Sequence, residues 1–558
     1  MPTRAIPGLL AALLLLTTGA APSGTISPSS GTRSVASAAA SAKFRKPRLP
    51  IRGNVARSPK LAIGPSLVLP STRTANAVFN GLNKPGLSFV DNGSFQTAPP
   101  DSTGSIGPNY YVEIVNSVIG VYSRSDLSLV AQASFNPWLG VGGTPSTVPL
   151  CDPQIQWDSS SQRWLYVVLG CSIGSDKFLY GWSKTADPSD LINGWCRFSV
   201  LTPGVLSDYP KLGHSSKYMI VGTNNFSDTG INPFVTAQIT WMQTPAPGVT
   251  TCIAPSVNFV GTALSPLKNG DLTTLTSTPV PVNTSSNASN GYVLSAYDPS
   301  GPPPTPQTKL TVFHIDGSGG FHADGDITVN SYAVPAPAPN LNGSPFGIDT
   351  LDGRLTQAVG DPTTGIYTQH TVNGAGGRSK VTWYEIQVAS SVPTLTQEGD
   401  IASSTDFVFN GAISPRSDGD GAVIFYNRTN SGTDPVIATQ GRMLGTPLGQ
   451  MNAGETVLAS STAGDRDFSC NFTGHGEPCR WGDYSGASPD PLNANVVWGS
   501  NQALTLPSVP AGNPNWVTQN FAIAGPVLRS PVPQSTPRPT PTRDPANPGA
   551  PSPTPGIR

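Results

Sequence analysis

Asp208-Tyr209-Pro210-Lys211-Leu212, followed by the strand-like run Tyr218 to Asn224, is the most telling phrase of this 558-residue chain, because it returns. It reappears as Asp483-Tyr484-Ser485-Gly486-Ala487 with Asn495 to Asn501, and in related form as Asp152-Pro153-Gln154-Ile155 with Arg163 to Val167. Each copy reads as an Asp-led turn, a short apolar strand, a hydrophilic hairpin and a second strand. Recurrence at intervals of several tens of residues marks one supersecondary unit reused around a ring or along a stack.

Composition agrees. Only 12% of residues are charged, and there are 59 glycines and 58 prolines. Proline removes a backbone donor and glycine costs backbone entropy, so long helices are excluded and many short strands joined by turns are favoured. The expected class is all-β. A formal net charge of -1 supplies no field for steering a polyanion, which argues against a nucleic-acid partner.

Strand candidates fall into seven clusters. They begin at Tyr110 to Asn116, Gln154 to Trp157, Lys211 to Gly213, Tyr292 to Tyr297, Leu355 to Val359, Val408 to Ile413 and Ser485 to Ser488, and the last closes near Trp516 to Ala522. Seven clusters with room for four strands each predict a β-propeller of seven blades, with six or eight left open by insertions such as Asn283 to Pro306. A β-helix would show a shorter, stricter repeat, and a sandwich would not need the same phrase three times. Strands near Val90 are the expected ring closure. Several second strands end on Asn (Asn116, Asn224, Asn427, Asn501), and a strand-end amide is suited to hold the loop that leads onward.

The six cysteines are an even set, as expected of an oxidising compartment. If a hairpin turns at Ser159-Ser160-Ser161-Gln162, positions summing to about 321 face each other and Cys151 meets Cys171. Cys470 and Cys479 would close a short loop, leaving Cys196 for Cys252. Export is expected also from Arg4, the apolar run Leu9 to Leu16 and the small residues Thr18-Gly19-Ala20-Ala21, which read as a signal peptide over 1–21. No later stretch reaches the ~20 apolar residues of a membrane helix. Residues 22–79 are Ser/Ala/Pro-rich, with seven basic and no acidic residues between Lys43 and Lys60, and 528–558 is Pro/Thr-rich. Both segments are expected to be disordered, the first able to associate with anionic cell wall, and 80–527 is expected to be the folded domain.

Pro99-Pro100-Asp101-Ser102-Thr103-Gly104, Cys151-Asp152-Pro153 to Arg163-Trp164, Asp208-Tyr209-Pro210-Lys211-Leu212, Asp352-Gly353-Arg354-Leu355 and Arg480-Trp481-Gly482-Asp483-Tyr484-Ser485 together resemble a family of secreted bacterial proteins similar to sialidase-like β-propellers. The likeness spans roughly Asp91 to Asn520, and Arg-Trp-Gly-Asp-Tyr is its most specific part. It implies a fold and a compartment, and it brings no reaction.

Sialidase chemistry needs an arginine cluster and a Tyr nucleophile paired with Glu. The body has ten arginines but only five glutamates, Glu113, Glu385, Glu398, Glu455 and Glu477, none in a recognisable catalytic setting. Ser417-Asp418-Gly419-Asp420-Gly421 is a poor approximation of the Asp-box turn of true sialidases, and the five histidines show no ligand spacing. Binding candidates remain. Asp152, Asp208 and Asp483 open inner strands, where convergent carboxylates could hold Ca²⁺ or a polar ligand, or cap their own turns. Arg480, Trp481 and Tyr484 could form a cationic and aromatic platform for sugar, or pack together to lock the blade. Asp418 and Asp420 form a weaker Ca²⁺ turn. The expectation is a monomeric, secreted or cell-surface binding module for extracellular polysaccharide or protein, with a glycan-active hydrolase and a structural surface protein as alternatives.

Overall fold

A computed structural model describes residues 50–54, 78–93, 95–140, 149–172, 174–175, 177–228, 233–301, 303–390, 392–452, 454–505 and 512–524. The chain divides into a body, Met1–Pro526, and a C-terminal unit, Val527–Arg558. The expected signal peptide, the basic run except Ile51–Asn54, and the Pro/Thr-rich tail lie outside the described residues.

The body is a β-propeller, almost entirely strand. Apart from Ile51–Asn54 and Phe95–Ala98, the described strands pair as seven antiparallel quartets. The first is Thr103–Ile106, Tyr110–Val115, Val118–Ser123 and Leu129–Ser134; the second is Leu150–Asp158, Arg163–Gly170, Lys177–Ser183 and Trp195–Leu201. The third is Val205–His214, Tyr218–Ser227, Phe234–Gln243 and Val257–Val260; the fourth is Val280–Thr284, Gly291–Ala296, Gln307–Ile315 and Phe321–Tyr332. The fifth is Leu355–Asp361, Gly365–Asn373, Ser379–Gln387 and Thr394–Ile401; the sixth is Phe407–Pro415, Gly421–Asn430, Thr433–Met443 and Thr456–Ser460. The seventh takes three strands from the C-terminal side, Gly486–Pro489, Val496–Leu504 and Trp516–Ala524, and its outermost from the N-terminal side, Val78–Ser88. Closure therefore uses the segment just before Val90.

Inner strands meet their neighbours all the way round. His214 pairs in parallel with Asn283, and Val282 with Ala358. Ser105 Oγ accepts from Trp157 N–H at 3.1 Å, Ser485 Oγ donates to Asn410 O at 3.1 Å, and Ile106 N–H donates to Ser488 Oγ at 3.1 Å. Such mutual cover leaves no inner edge open for pairing with another chain. Apolar clusters fill the spaces between quartets, as alternation along a half-buried strand requires; Phe425, Val497 and Phe521 join the sixth to the seventh.

Glu113 fastens the seam. Its carboxylate accepts from Leu87 N–H at 3.1 Å, Tyr122 OH at 3.0 Å, Asn520 Nδ2 at 2.8 Å and Ser500 OH at 3.3 Å, so the first quartet grips three strands of the seventh.

The three disulfides join Cys151 to Cys171, Cys196 to Cys252 and Cys470 to Cys479. The expected register holds from Asp158↔Arg163 to Gln154↔Val167, then shifts, and Cys151 stands opposite Leu169. A bulge at Asp152-Pro153 absorbs the extra residue, and the bridge to Cys171 runs diagonally, with the Cα atoms 5.8 Å apart. Within the stretch 22–79, the described residues Ile51–Asn54 pair antiparallel with Phe95–Ala98, and Val78 begins the strand that runs to Ser88.

Candidate functional site

The recurring phrase is a bulge at the entrance to an inner strand. Asp101, Asp152, Tyr209, Thr278 and Asn410 all have φ between 48° and 53°. Non-glycine residues adopt this left-handed conformation uncommonly, and something must hold them there. The strand-end asparagines do so. Asn116 Oδ1 accepts from Asp152 N–H at 2.8 Å, while its Nδ2 donates to Pro99 O at 2.8 Å and Asp101 Oδ2 at 2.7 Å. Asn224 Oδ1 accepts from Thr278 N–H at 2.7 Å, and its Nδ2 donates to Thr278 Oγ1 at 2.9 Å. Asn410 Nδ2 reaches Asn427 Oδ1 at 3.2 Å and Asn501 Oδ1 at 3.0 Å. At Asn116 and Asn224 the second strand of one quartet thus clasps the bulge that enters the next, whereas the bulge at Asn410 is tied to the second strands of its own and of the following quartet. The alignment of Asp152 with Asp208 suggested by sequence is off by one, since the residue equivalent to Asp152 in backbone conformation is Tyr209.

These bulges gather a buried polar cluster. Asp483 N–H donates to Asp101 Oδ1 at 2.6 Å, and Tyr209 OH donates to Asp483 O at 2.7 Å. Arg480 Nη2 lies 3.1 Å from both oxygens of Asp483. Lys211 Nζ sits 4.0 Å from the Tyr209 ring centroid and 3.6 Å from that of Tyr484, and the Arg354 guanidinium lies 4.3 Å from the Tyr209 ring. Cations over desolvated aromatic faces gain about 2 kcal/mol. Asp101 is pushed up to about 7, by burial first and then by Asp483, against the pull of Arg480. Burial, then Asp101, Asp208 and Asp483, raises Asp152 well above the usual carboxylate range. Burial draws the Lys211 ammonium down while Asp483 and Asp101 oppose it. Burial thus disfavours the charged forms of both the carboxyl groups and the ammonium, and their mutual attraction works against that.

Asp152, Asp208 and Asp483 are thus brought together, with Asp101, Lys211 and Arg354 added by the fold. All six are at most 2% exposed, Asp352 pairing with Arg354 at 2.6 Å. The crossover segments 333–354 and 461–485 lie against each other, Asp349 N–H donating to Cys479 O and Cys479 N–H to Gly347 O, both at 2.9 Å. Ala338, Ile348 and Trp481 from these segments pack with Val115, Val118, Leu504 and Trp516. An exposed sugar platform is not what Arg480, Trp481 and Tyr484 form. Trp481 and Tyr484 are each 1% exposed; Trp481 meets Phe409 edge-on and donates to Asn427 Oδ1 at 3.2 Å.

For metals, the donor geometry is specific. The one set of three His, Cys, Asp or Glu ligand atoms within 4.8 Å of each other among the described residues is Asp465, Cys470 and Cys479, and both sulfurs are consumed by their disulfide. The positive groups that the fold itself places among these carboxylates are Lys211 and Arg480. Asp418 pairs with Arg416 and its Oδ1 accepts from Asp420 N–H at 3.0 Å, as in an ordinary Asp turn.

An open polar cleft lies elsewhere, between the outer strands of the fourth and fifth quartets. It has a volume of about 310 Å³. Lys380, Thr382 and Tyr384 alternate along one strand, Glu398 and Asp400 along the next, and the register Thr382↔Asp400 and Tyr384↔Glu398 puts all five on one face. Lys380 Nζ and Thr382 Oγ1 each lie 2.7 Å from Asp400. Asn330 N–H, from the fourth quartet, donates to both Glu398 oxygens at 3.2 and 3.0 Å. Burial and Asp400 raise Glu398 above the usual range, against Asn330 and Lys380. Beneath the cleft His370 is held down at about 4 by burial, hence neutral. Its Nδ1 must then donate to Gly353 O at 2.8 Å, so Tyr384 OH donates to Nε2 at 2.9 Å and the tyrosine is fixed. Of these residues only Glu398, among glutamates without a setting, and His370, among histidines without ligand spacing, were singled out from sequence. The alternation Lys380-Thr382-Tyr384 was visible, but its register against Glu398 and Asp400 was not.

The sialidase criterion can be applied to the described residues. Tyr–Glu contacts occur at Tyr122–Glu113, at Tyr426–Glu455 and at Tyr367–Glu385, the last with Arg442 near by. The first is the seam; the second carries Arg428, which is shared with Asp406. Arg124, Arg354, Arg416 and Arg480 each pair with a different aspartate, Asp490, Asp352, Asp418 and Asp483.

No protein-family model matches the chain, and no curated protein is similar to it in sequence. Among solved structures it is similar to the extracellular domains 1-2 of Drosophila Semaphorin 1b, at 8% identity over 80% of this chain and 87% of that one, with a TM-score of 0.35. It is likewise similar to an exo-beta-1,3-galactanase from Phanerochaete chrysosporium, at 9% identity over 81% and 99%, TM-score 0.29. A subtype N11 neuraminidase-like protein of A/flat-faced bat/Peru/033/2010 gives 8% identity over 62% and 72%, TM-score 0.28. Scores this low carry no reading of function.

Proposed function

We propose that this chain is an exported seven-bladed propeller that binds extracellular polysaccharide, with the cleft around Lys380, Glu398 and Asp400 as a saccharide subsite. The observation that carries the reading is the lining of that cleft. Hydroxyl, ammonium and carboxylate groups alternate on two paired strands around about 310 Å³, which matches the several donors and acceptors of a sugar ring and the lower end of small-ligand site volumes. The buried axial cluster, by contrast, serves to hold the bulges together. Three disulfides support an extracellular setting. The test is calorimetric titration of the full chain with a panel of neutral and acidic polysaccharides. Asp400, being exposed, can be changed without unfolding, and Asp400→Ala should weaken binding at least tenfold. Failure to bind any polysaccharide, or binding indifferent to Asp400→Ala and Glu398→Gln together, overturns the reading.

One observation favours a hydrolase as a second reading. Glu398 and Asp400 stand two residues apart on one strand face, about 6–7 Å along the strand, a spacing that leaves room for water between an acid and a base. Their environments differ in the required sense, with Glu398 raised by burial and Asp400 beside an ammonium. Release of reducing ends that Glu398→Gln abolishes while binding persists would establish it.

A further inference from the structure

A second cavity has opposite chemistry. It also measures about 310 Å³ and lies where the second and third quartets meet, below the turn from Leu201 to Val205. Leu201, Val235, Phe259 and Leu264 contribute its walls, and no Lys, Arg, His, Asp or Glu is among its lining residues. The cleft of the proposed saccharide subsite carries three charged side chains in the same volume.

The floor is a pair of amides. Asn225 Oδ1 accepts from Ser207 Oγ at 3.1 Å and Thr223 Oγ1 at 3.0 Å, and its Nδ2 donates to Gln238 Oε1 at 3.3 Å. Gln238 is thereby oriented, its acceptor is used, and its Nε2 has no partner among the described residues, so it is a hydrogen-bond donor left to the cavity. The rim is built as well. Gly261 turns the chain back at φ +89°, with Ala237 O only 2.1 Å from where a Cβ would stand, so only glycine fits. Thr262 and Ser265 then exchange backbone hydrogen bonds at 3.0 and 3.1 Å, holding Ala263 and Leu264 at the tip of a tight turn. Leu264 is 96% exposed and Leu201 67%, an unfavourable placement for two large apolar side chains flanking one opening.

We infer that this cavity is a binding site for a small uncharged amphiphile, an apolar body bearing one carbonyl or hydroxyl oxygen that accepts from Gln238 Nε2. The apolar walls select the body, because burying it there removes hydrocarbon from water. The lack of any counter-charge excludes carboxylates and ammonium groups, whose desolvation nothing would offset. This site is independent of the saccharide reading.

The test uses the full chain and Nile red as a neutral fluorescent probe, with 2-octanone, 1-octanol, octanoate and octyltrimethylammonium as competitors at pH 7. Saturable probe binding is expected, displaced by the ketone and alcohol at concentrations at least tenfold below those needed for the two ions. Val235→Trp should lower probe affinity at least tenfold by filling the cavity. Leu264→Ser, at an exposed position that cannot unfold the body, should lower it several-fold. Asp400→Ala should leave it unchanged. Absence of probe binding, equal displacement by the ions, or binding insensitive to both Val235→Trp and Leu264→Ser overturns the inference. So does sedimentation showing that the probe reports a dimer joined through Leu264.

Discussion

Replacing Asn116 with alanine should reveal what keeps the axial bulges in place. The substitution removes three buried hydrogen bonds at once, with Asp152 N–H, Pro99 O and Asp101 Oδ2 losing their partner. An unsatisfied buried group costs about 1–3 kcal/mol, and partial relaxation makes the three less than additive, so about 4 kcal/mol is expected. With an unfolding entropy of about 2.1 cal/mol/K per residue, a body of about 450 residues loses about 1 kcal/mol per degree near its melting temperature, and the shift is about 4 °C if it unfolds as a unit. Asn116→Asp sharpens the test. It keeps the acceptor for Asp152 N–H but turns a donor into a carboxylate oxygen 2.7 Å from Asp101 Oδ2, where two charges at an effective dielectric near 20 would repel by about 6 kcal/mol. Proton uptake relieves that repulsion, so Asn116→Asp should be much less stable at pH 8 than at pH 5, whereas the alanine variant changes little between them beyond the wild-type trend. Scanning calorimetry at both pH values checks this. An alanine variant melting within about 1 °C of wild type, or an aspartate variant whose deficit ignores pH, would refute the clasp.

Substitutions at two other positions address the seam and the covering segments. Glu113→Ala strips the acceptor from Leu87, Tyr122, Ser500 and Asn520 and should cost about 3–5 kcal/mol, whereas Glu113→Gln, which retains an acceptor oxygen and removes a buried charge, should stay within about 1 kcal/mol. Urea unfolding, with proteolysis at Val78–Ser88 as a local readout, distinguishes the two. Asp467 is pushed up to about 6 by burial, above the roughly 3.9 of an unfolded aspartate. The native state holds that proton more tightly, so the contribution is full below about pH 4 and is lost as pH rises through 6. Asp467→Asn should therefore show a flatter stability profile than wild type across this window, by up to about 3 kcal/mol, while its side-chain oxygen still accepts from Ser469 N–H. Parallel profiles in urea titrations at pH 4, 6 and 8 would exclude the assignment.

Much of the architecture was readable before any coordinates, because strand patterning is local. Alternating apolar residues, turn residues and strand-ending asparagines repeat along the chain; Asn116 and Asn224 hold the bulge that leads onward, and Asn427 accepts from Trp481 of the segment that precedes the seventh quartet. All three cysteine pairings followed from strand proximity and elimination, although the bulge at Asp152 moved Leu169 into the place assigned to Cys171. What failed was burial. Trp481 and Tyr484 looked like a platform because aromatic and basic residues adjoin in the chain, but the crossover segments that cover them come from elsewhere. Lys211 sat in plain view within the repeated phrase, and nothing in its residue type announces an ammonium held between two tyrosine rings.

The residues alone settle that this chain makes paired strands in repeating units, since backbone propensity, side-chain alternation and turn chemistry act over a few neighbours. Which carboxylates become neighbours is a property of the closed ring. Asn330 meets Glu398 across 68 residues and Asp101 meets Asp483 across 382, contacts that exist only because each sheet is covered by the next. Solvent access follows the same rule, and it leaves the Asp-rich cluster sealed while the cleft beside Asp400 and the cavity mouth beside Leu264 stay open.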